Sequence, residues 1–192
     1  MIFWKSILTY IQKKKENNFW KNPDCYLAAI ILNEQKEQVY GIVRNGLALL
    51  ERIPNPETGF FYKDVVKVKG PIGKQLFRDD EIDEYQALEL YKASNVPTFT
   101  FKVVIPDSMD YFMLLDWFKE NRQKVELPWT SNNNNKEWSK GLCTAENIEQ
   151  AQEILNSFVI KKEGRQVKDI NYCEYYIKKI EKIKTVVIIN KS

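Results

Sequence analysis

The segment from Val96 to Trp129 constrains the fold of this chain most, because it concentrates large apolar side chains in a short stretch. Apolar and polar residues alternate from Thr98 to Ile105, which is the period of a strand with one buried face. Pro106 ends this strand because proline has no N–H to donate to a sheet. A buried strand is therefore predicted to begin this segment.

A helix is predicted to follow, from Ser108 to about Asn121, with Ser108 as its N-cap. Apolar residues occupy more than half of its circumference, so we expect the helix to be covered on two sides. A second strand is predicted from Lys124 to Trp129. Strand, helix and strand together predict a βαβ unit at 96–129.

The first half of the chain reads as a series of strands. Asn45-Gly46 is the strongest hairpin signal in the sequence, because both residues tolerate the positive φ of a type I′ turn. The four predicted strands are Cys25–Asn33, Gln38–Arg44, Leu47–Arg52 and Tyr62–Lys69. Strands this close together in sequence predict an antiparallel meander.

A helix is predicted after the meander, beginning in a run of carboxylates. Acidic side chains stabilise the N-terminal end of a helix through its dipole, which we prefer to a metal cluster as the explanation of the run. The run consists of Asp79, Asp80, Glu81, Asp83 and Glu84, and the apolar stripe that follows consists of Ile82, Tyr85, Leu88 and Tyr91.

The C-terminal part of the chain predicts one clear helix and one ambiguous segment. Thr144 is predicted to cap a helix with the apolar stripe Ile148, Ala151, Ile154, Leu155 and Phe158. The segment Val167–Ile183 fits a helix by one spacing and a strand by the other, so both alternatives stay open. Thr185–Asn190 is predicted to be a final strand because it is rich in Val and Ile.

These elements predict an α+β fold with a mixed, largely antiparallel sheet and helices mainly on one face. The meander forms its first half, and the βαβ unit at 96–129 belongs to a second half for which we consider a ferredoxin-like arrangement. We predict a single domain over 1–192. It comprises an amphipathic N-terminal helix over 1–20, the meander plus helix over 22–94, and the βαβ-based half over 96–192.

Several features of the sequence indicate the cellular compartment of the protein. No apolar run approaches the length of a membrane span, and the N-terminus lacks the features of a signal peptide. The three cysteines, Cys25, Cys143 and Cys173, show no paired spacing, which suits a reducing compartment. We therefore expect a cytoplasmic protein.

Charge is unevenly distributed along the chain. Residues 1–75 carry 12 basic and 7 acidic side chains, residues 76–157 carry 8 and 15, and residues 158–192 carry 9 and 4. An acidic middle between two basic ends indicates either charge complementarity within the molecule, which we favour, or separate surfaces for different partners.

The sequence offers little chemistry for catalysis. It contains no histidine, which removes the commonest general base and the most usual zinc ligand. Cys143 precedes the predicted cap at Thr144 and meets the condition for an activated thiol only loosely. Gly70–Lys74 has too few residues between its glycines for a phosphate-binding loop. We predict no catalytic residue, metal or cofactor, and a non-enzymatic role.

The leading hypothesis is a protein that binds another protein, as an accessory subunit, adaptor or inhibitor. Its motivation is the amphipathic first helix and the polar loop that follows Trp129, which contains an aromatic residue of its own. The alternative for this loop is a flexible connector. The predicted protein-binding residues are Trp4, Trp129, Lys136, Trp138 and Lys140.

The alternative hypothesis is a nucleic-acid-binding protein that contacts the phosphate backbone through a basic strand face and a basic C-terminal segment. Such contacts predict an affinity that falls steeply with salt. The residues concerned are Lys63, Lys67, Lys69 and Lys74 in the strand region and Lys161, Lys162 and Arg165 in the C-terminal segment.

Overall fold

The structure is a computed structural model. It describes residues 20–33, 37–127 and 138–189, with side chains described to residue 182 in the last range. The predicted helix over 1–20 therefore lies outside the described residues except at its last position. Contacts divide the chain into two compact units, one of residues 1–51 and 64–92 and the other of residues 52–63 and 93–192. The single-domain organisation stays a prediction.

The first unit is a closed five-stranded barrel whose strands follow each other in chain order. Successive strands pair antiparallel, and the first and last strands pair parallel to close the barrel. The strands are β1 Tyr26–Ile31, β2 Gln38–Arg44, β3 Leu47–Leu50, β4 Val65–Phe77 and β5 Asp80–Lys92. The predicted meander is confirmed over its four strands.

The turn between β2 and β3 has the conformation that its residues predict. Asn45 and Gly46 have φ values of 50° and 73°, as both central positions of a type I′ turn require. The register sets Arg44 opposite Leu47, so the loop contains two residues. This hairpin is confirmed.

The predicted helix over 79–91 is wrong, because that segment is strand β5. The three-residue spacing that suggests a helix is compatible with a strand because β-bulges each add one residue to it. In the pairing with β4, Leu88 lies between the partners of Lys67 and Val68, and Tyr91 lies between those of Val65 and Val66. Both extra side chains are exposed. Local pattern did not reveal this, because barrel closure depends on pairing with strands far away in sequence.

The second unit is an α+β structure built on a four-stranded sheet. Its elements are a 3₁₀ turn Pro56–Thr58, β6 Thr98–Val104, α1 Ser108–Glu120, β7 Val125–Glu126, β8 Ser139–Thr144, α2 Ile148–Ile160, β9 Gln166–Tyr172 and α3 Glu174–Ile189. The sheet order is β7-β8-β6-β9, and all neighbours are antiparallel. Helix α1 joins β6 to β7, as the βαβ prediction requires, and β8 lies between these two strands.

One face of this sheet packs against α1 and α2. Phe99, Phe101 and Val103 point to that face because they alternate with polar residues along β6. Leu114 and Phe118 of α1, with Ala151, Leu155 and Phe158 of α2, complete the fully buried core. The predicted stripe of α2 is confirmed, although Ile148 is only partly buried. Neither α1 nor α2 covers the opposite face of the sheet.

Helix α3 packs elsewhere in the second unit, against the segment that precedes β4. Phe61, Cys173 and Tyr176 form a small buried cluster with Ile180 at its edge. The Phe61 and Tyr176 rings meet edge to face, with 5.4 Å between centroids. Residues 52–63 therefore pack with α3 in the second unit. In sequence, however, they lie between two strands of the barrel.

Both predicted helix caps are displaced. The cap of α1 is Asp107, which accepts from the Asp110 N–H at 3.0 Å, and Ser108 is the first helical residue. The cap of α2 is Asn147, which accepts from the Gln150 N–H at 2.8 Å. Thr144 instead ends β8 and donates its hydroxyl to Gln123. Asp and Asn are as effective as Ser and Thr at this position, so sequence alone does not choose between neighbours.

The expectation that α1 is covered on two sides is wrong. Leu114 and Phe118 are buried, but Met109, Phe112 and Met113 on the other side are 66%, 51% and 48% exposed. An apolar surface that wide usually packs on both sides. About half or more of the surface of each of these three side chains is exposed.

The ambiguous segment over 167–183 contains both alternatives. Its first part belongs to β9 and its second part to α3, with Cys173 between them. The predicted strand over 185–190 is wrong, because α3 continues to Ile189. Once a helix has formed, each further residue adds a hydrogen bond, which outweighs the β preference of Val and Ile. None of the helices in the described part of the chain is long and apolar enough to cross a bilayer.

Candidate functional site

A cleft of about 590 Å³ opens over the face of the second-unit sheet that α1 and α2 leave uncovered. Thr100, Lys140 and Leu142 form part of its floor, because they alternate with core residues along β6 and β8. The segment around Pro56 and the start of α3 form its walls. The cleft therefore lies entirely within one compact unit.

Two of the four charged residues that line the cleft, Glu126 and Glu174, are held in ion pairs. Glu126 accepts two hydrogen bonds from the Arg52 guanidinium, at 2.9 Å from Nε and 2.6 Å from Nη2. At the start of α3, the Lys178 ammonium bonds the Glu174 carboxylate at 2.6 Å. That hydrogen bond lowers the pKa of Glu174, so the group is ionised at neutral pH.

Aromatic and cationic side chains are exposed beside these pairs. Tyr172 and Tyr175 line the cleft and are 41% and 46% exposed. Trp138 is 38% exposed, and the Lys168 ammonium lies 3.9 Å from its ring centroid. This arrangement provides planar surfaces beside positive charge.

The structure places only part of the predicted protein-binding set. Lys140 lies on β8 and lines the cleft, and Trp138 directly precedes this strand. Trp4, Trp129 and Lys136 lie outside the described residues. The question whether the loop after Trp129 recognises a partner or only connects two strands therefore stays open.

In the strand region, the predicted nucleic-acid residues are divided between the two units. Lys67 and Lys74 lie on β4, where they bond Glu89 at 2.6 Å and Glu81 at 2.7 Å on β5. Each hydrogen bond raises the pKa of its lysine. Lys69 is exposed on the same strand. Lys63 belongs to the second unit, and its ammonium lies 5.1 Å from the Tyr62 ring centroid.

In the C-terminal segment, the predicted cations take part in internal contacts. Lys161 lies 3.6 Å from the centroid of the Trp117 ring. Lys162 bonds both Asp107 and Asp110, at 2.6 and 2.9 Å. Arg165 is 4% exposed and bonds Asp110 at 2.6 Å. Arg165 is therefore part of the core and does not lie on a surface that a nucleic acid could contact.

The structure also removes Cys143 as a nucleophile. It lies on β8 with its side chain in the core, not at the start of a helix. Burial raises the pKa of its thiol, so the reactive thiolate is disfavoured. In the described ranges, no group of three or more carboxylate or thiol side chains is arranged to hold a metal ion.

Sequence reasoning missed several residues around the cleft. Lys102 lies on β6 directly opposite Lys140, and Lys168 lies on β9 directly opposite Lys102. The alternation of apolar and polar residues in Thr98–Ile105 does indicate that Lys102 leaves the core. Nothing local indicates that β8 and β9 flank β6, because these strands come from distant parts of the sequence.

The fold and the cleft define an α+β protein with a barrel unit and a sheet-and-helix unit. No family model matches the sequence, and no curated protein matches it. Among solved structures, a hypothetical protein from Neisseria gonorrhoeae aligns over 75% of this chain and 92% of its own, with 15% identity and a TM-score of 0.31. A likeness of that size carries no argument about fold or function.

Proposed function

We propose that the protein is a non-catalytic binding protein that acts by docking on another protein. The observation that carries this proposal is the outward stripe of α1, formed by Met109, Phe112 and Met113 at successive turns and exposed to solvent. Single exposed apolar residues are ordinary on protein surfaces, but a contiguous stripe on one helix face is typical of an interaction site. Two of the three are methionines, whose flexible thioethers adapt to a partner surface.

The attachment of α1 supports a docking role. Its inner side is held by Leu114 and Phe118, and its N-terminal end by the hydrogen bonds that Arg165 donates to Asp110. The Arg165 guanidinium also lies 3.3 Å from the Met113 sulfur. A helix fixed in this way presents its outer side with little loss of conformational entropy on binding. The partner we expect offers an apolar groove, as in other helix-in-groove complexes.

The second unit supports a further proposal about architecture. In this unit β6, α1, β7, β8, α2 and β9 follow one another in the order βαββαβ, with sheet order β7-β8-β6-β9. We infer that this is a ferredoxin-like arrangement. Because that fold hosts unrelated functions, it adds no functional argument. The absence of histidine from the sequence and the buried thiol of Cys143 support a non-catalytic role.

The test is affinity purification of the tagged protein from its native host, with quantitative mass spectrometry of the proteins that co-purify. The stripe variant replaces Met109, Phe112 and Met113 with serine. The matched control makes the same serine replacements at Ile72 and Leu76 of β4 and at Leu88 of β5, which are 50%, 75% and 59% exposed. We expect a stoichiometric companion with the wild type and the control, and its loss with the stripe variant.

Equal recovery of that companion with the stripe variant would contradict docking through α1. Further variants, Trp138→Ala and a deletion of residues 1–15 that removes Trp4, test the other predicted surfaces in the same experiment. Recovery of no companion from the wild type would contradict the proposed function as a whole.

A further inference from the structure

We propose that the uncovered face of the second-unit sheet binds single-stranded nucleic acid, with phosphates on a row of three lysines and bases on the exposed aromatic rings beside it. The row consists of Lys140, Lys102 and Lys168, on the adjacent strands β8, β6 and β9. This surface is separate from the α1 stripe, so the inference stands or falls independently of the proposed docking function.

The register of the sheet creates the row. Lys140 is the partner of Lys102, and Lys102 is the partner of Lys168. Directly opposite residues on antiparallel strands point to the same face with their Cβ atoms about 5 Å apart. Phe101 and Val103 point to the core, so Lys102 and its two partners point away from it. Three lysine side chains therefore leave the sheet at adjacent positions on one face.

Such a row is unfavourable for the fold itself, because like charges directly opposite each other destabilise a sheet. Asp169 offsets part of the repulsion by bonding Lys102 at 2.9 Å, and both side chains are about half exposed. Among the described residues, no carboxylate lies within ion-pairing distance of Lys140 or Lys168. At the row itself, three cations meet one paired carboxylate, which indicates an anionic ligand there. The adjoining cleft also carries the carboxylates of Glu57, Glu126 and Glu174, so the excess of positive charge is confined to the row.

Aromatic rings next to the row distinguish a nucleic acid from other anions. Trp138 is exposed beside Lys168, and Tyr175 lines the cleft that Lys140 also lines. Tyr172 lines the cleft too, but its ring packs on Phe99, its partner in the sheet, with 4.7 Å between centroids, so it is not counted among the stacking rings. Unpaired bases stack on exposed aromatic side chains, and this contact tolerates any base sequence. A duplex keeps its bases stacked within the helix, and an acidic peptide has no comparable planar groups. The combination therefore favours a single strand.

These lysines differ from the basic residues that sequence analysis selected. Lys67 and Lys74 each bond a glutamate on the neighbouring strand, and Arg165 is buried. Among the described residues, only one of the three lysines of the row, Lys102, forms an ion pair with a carboxylate. The lysines without a paired carboxylate therefore indicate a nucleic-acid interface on the sheet face of the second unit and not on β4.

The test measures fluorescence anisotropy of labelled dodecamers of dT and U, a DNA duplex and a poly-glutamate peptide, with the full chain. Binding is followed between about 50 and 200 mM salt, the range in which phosphate contacts are lost. The row variant replaces Lys102, Lys140 and Lys168 with glutamine. The matched control replaces Lys67, Lys69 and Lys74, which removes the same charge from β4.

We expect both single strands to bind the wild type more tightly than the duplex or the peptide. The row variant should lose about tenfold or more in affinity and lower the slope of log K against log salt by about 2, since each contact to a single strand contributes about 0.7. The control should change affinity by less than about threefold. Trp138→Leu should weaken binding but leave the salt slope unchanged, because stacking releases no counterions.

Several outcomes would overturn the inference. One is the absence of single-strand binding at the lowest salt. Others are unchanged binding by the row variant, or a greater loss in the β4 control. Equal affinity for poly-glutamate would show that the face binds acidic protein instead.

Thermal unfolding of each variant separates these outcomes from misfolding. Removal of the repulsion between the lysines should not lower the unfolding midpoint of the row variant. A preference between the dT and U strands would identify which nucleic acid is the ligand.

Discussion

At the residue scale, the pair of Asp110 and Arg165 dominates the electrostatics of the second unit. Both side chains are almost completely buried, and their charged atoms lie 2.6 Å apart. Arg165 also donates to the Phe158 carbonyl at 2.9 Å, which ties the start of α1 to the end of α2. Breaking a buried pair leaves an uncompensated charge in the core, although replacing both partners with apolar groups is often tolerated.

We therefore predict that Arg165→Met lowers the free energy of unfolding by about 3 kcal/mol, the lower end for a broken buried pair, because Asp110 keeps its bond to Lys162. Adding Asp110→Leu should recover much of this loss. Urea unfolding followed by circular dichroism measures both effects. Lys178→Met is the control, because Lys178 bonds Glu174 in an exposed pair on α3 and should change stability little. A double variant no more stable than Arg165→Met would contradict the explanation by an unpaired charge.

A second prediction at the residue scale concerns Gly141, where the packed core leaves no room for a Cβ atom. A Cβ at this position in β8 would overlap the Phe101 ring and would lie 2.5 Å from Leu127 Cδ2. Both neighbours belong to the packed core. Overpacking a core costs about 1–3 kcal/mol, and we expect Gly141→Ala to lose that amount in urea unfolding.

Gly73→Ala is the matched control for this substitution. A Cβ at Gly73 in β4 would meet its nearest atom, on Glu84, at 3.5 Å, which is an ordinary contact. A similar loss of stability in both variants would mean that the general cost of altering a strand glycine, and not the overlap with Phe101, explains the effect.

At the scale of elements, the start of α1 carries a pH dependence. Asp107 caps the helix, and the hydrogen bond from Lys162 is the largest cause that lowers the pKa of its carboxyl below the ordinary 3.8. A carboxyl with a lowered pKa in the folded state stabilises the protein above its unfolded pKa. That contribution is lost as pH falls through the folded value.

We predict that Asp107→Asn, which keeps a capping oxygen but removes the charge, lowers stability at pH 7. The difference from the wild type should shrink as pH falls through about 4 and below. Thermal unfolding across this pH range is the measurement, and Ser108→Ala is the control because Ser108 does not cap the helix. A difference independent of pH would show that the charge of Asp107 contributes nothing.

Sequence patterns predicted elements where local rules decide the structure. The hairpin at Asn45-Gly46 depends on two residues that tolerate positive φ, and α2 depends on one apolar stripe. The helix prediction for β5 is wrong because the apolar residues of this strand recur every three positions, and Leu88 and Tyr91 are the extra residues of two bulges. The extra residue of a bulge is defined only by the partner strand, so no pattern within β5 could reveal it.

At the scale of the whole molecule, the candidate sites depend on neighbours that the sequence does not specify. The apolar residues of α1 were visible in sequence, but their exposure depends on which elements cover the helix. The lysine row requires β8 and β9 to flank β6, and each strand contributes one lysine. Trp138 and Lys140 were predicted because they lie near an evident loop, whereas Lys102 and Lys168 lie in strands whose pairing is not local.

The division of the chain into two units leads to a prediction about cooperativity. Leu50 in the barrel and Leu155 in α2 are both fully buried, and each belongs to a different unit. Leu→Ala at either position removes the same atoms and should cost about 2–5 kcal/mol. If each unit unfolds on its own core, Leu50→Ala will accelerate hydrogen exchange of the slowest barrel amides far more than those of β6 and β8, and Leu155→Ala will do the reverse.

We expect this unit-specific pattern, because a compact unit with its own core opens as one cooperative element. Hydrogen exchange with mass spectrometry resolves the two sets of amides in the same sample. Residues 52–63 provide an internal check: they follow β3 in sequence but pack on α3 through Phe61, so their protection should follow Leu155→Ala. Equal acceleration in both units by either substitution would instead establish the single cooperative domain that the sequence predicts.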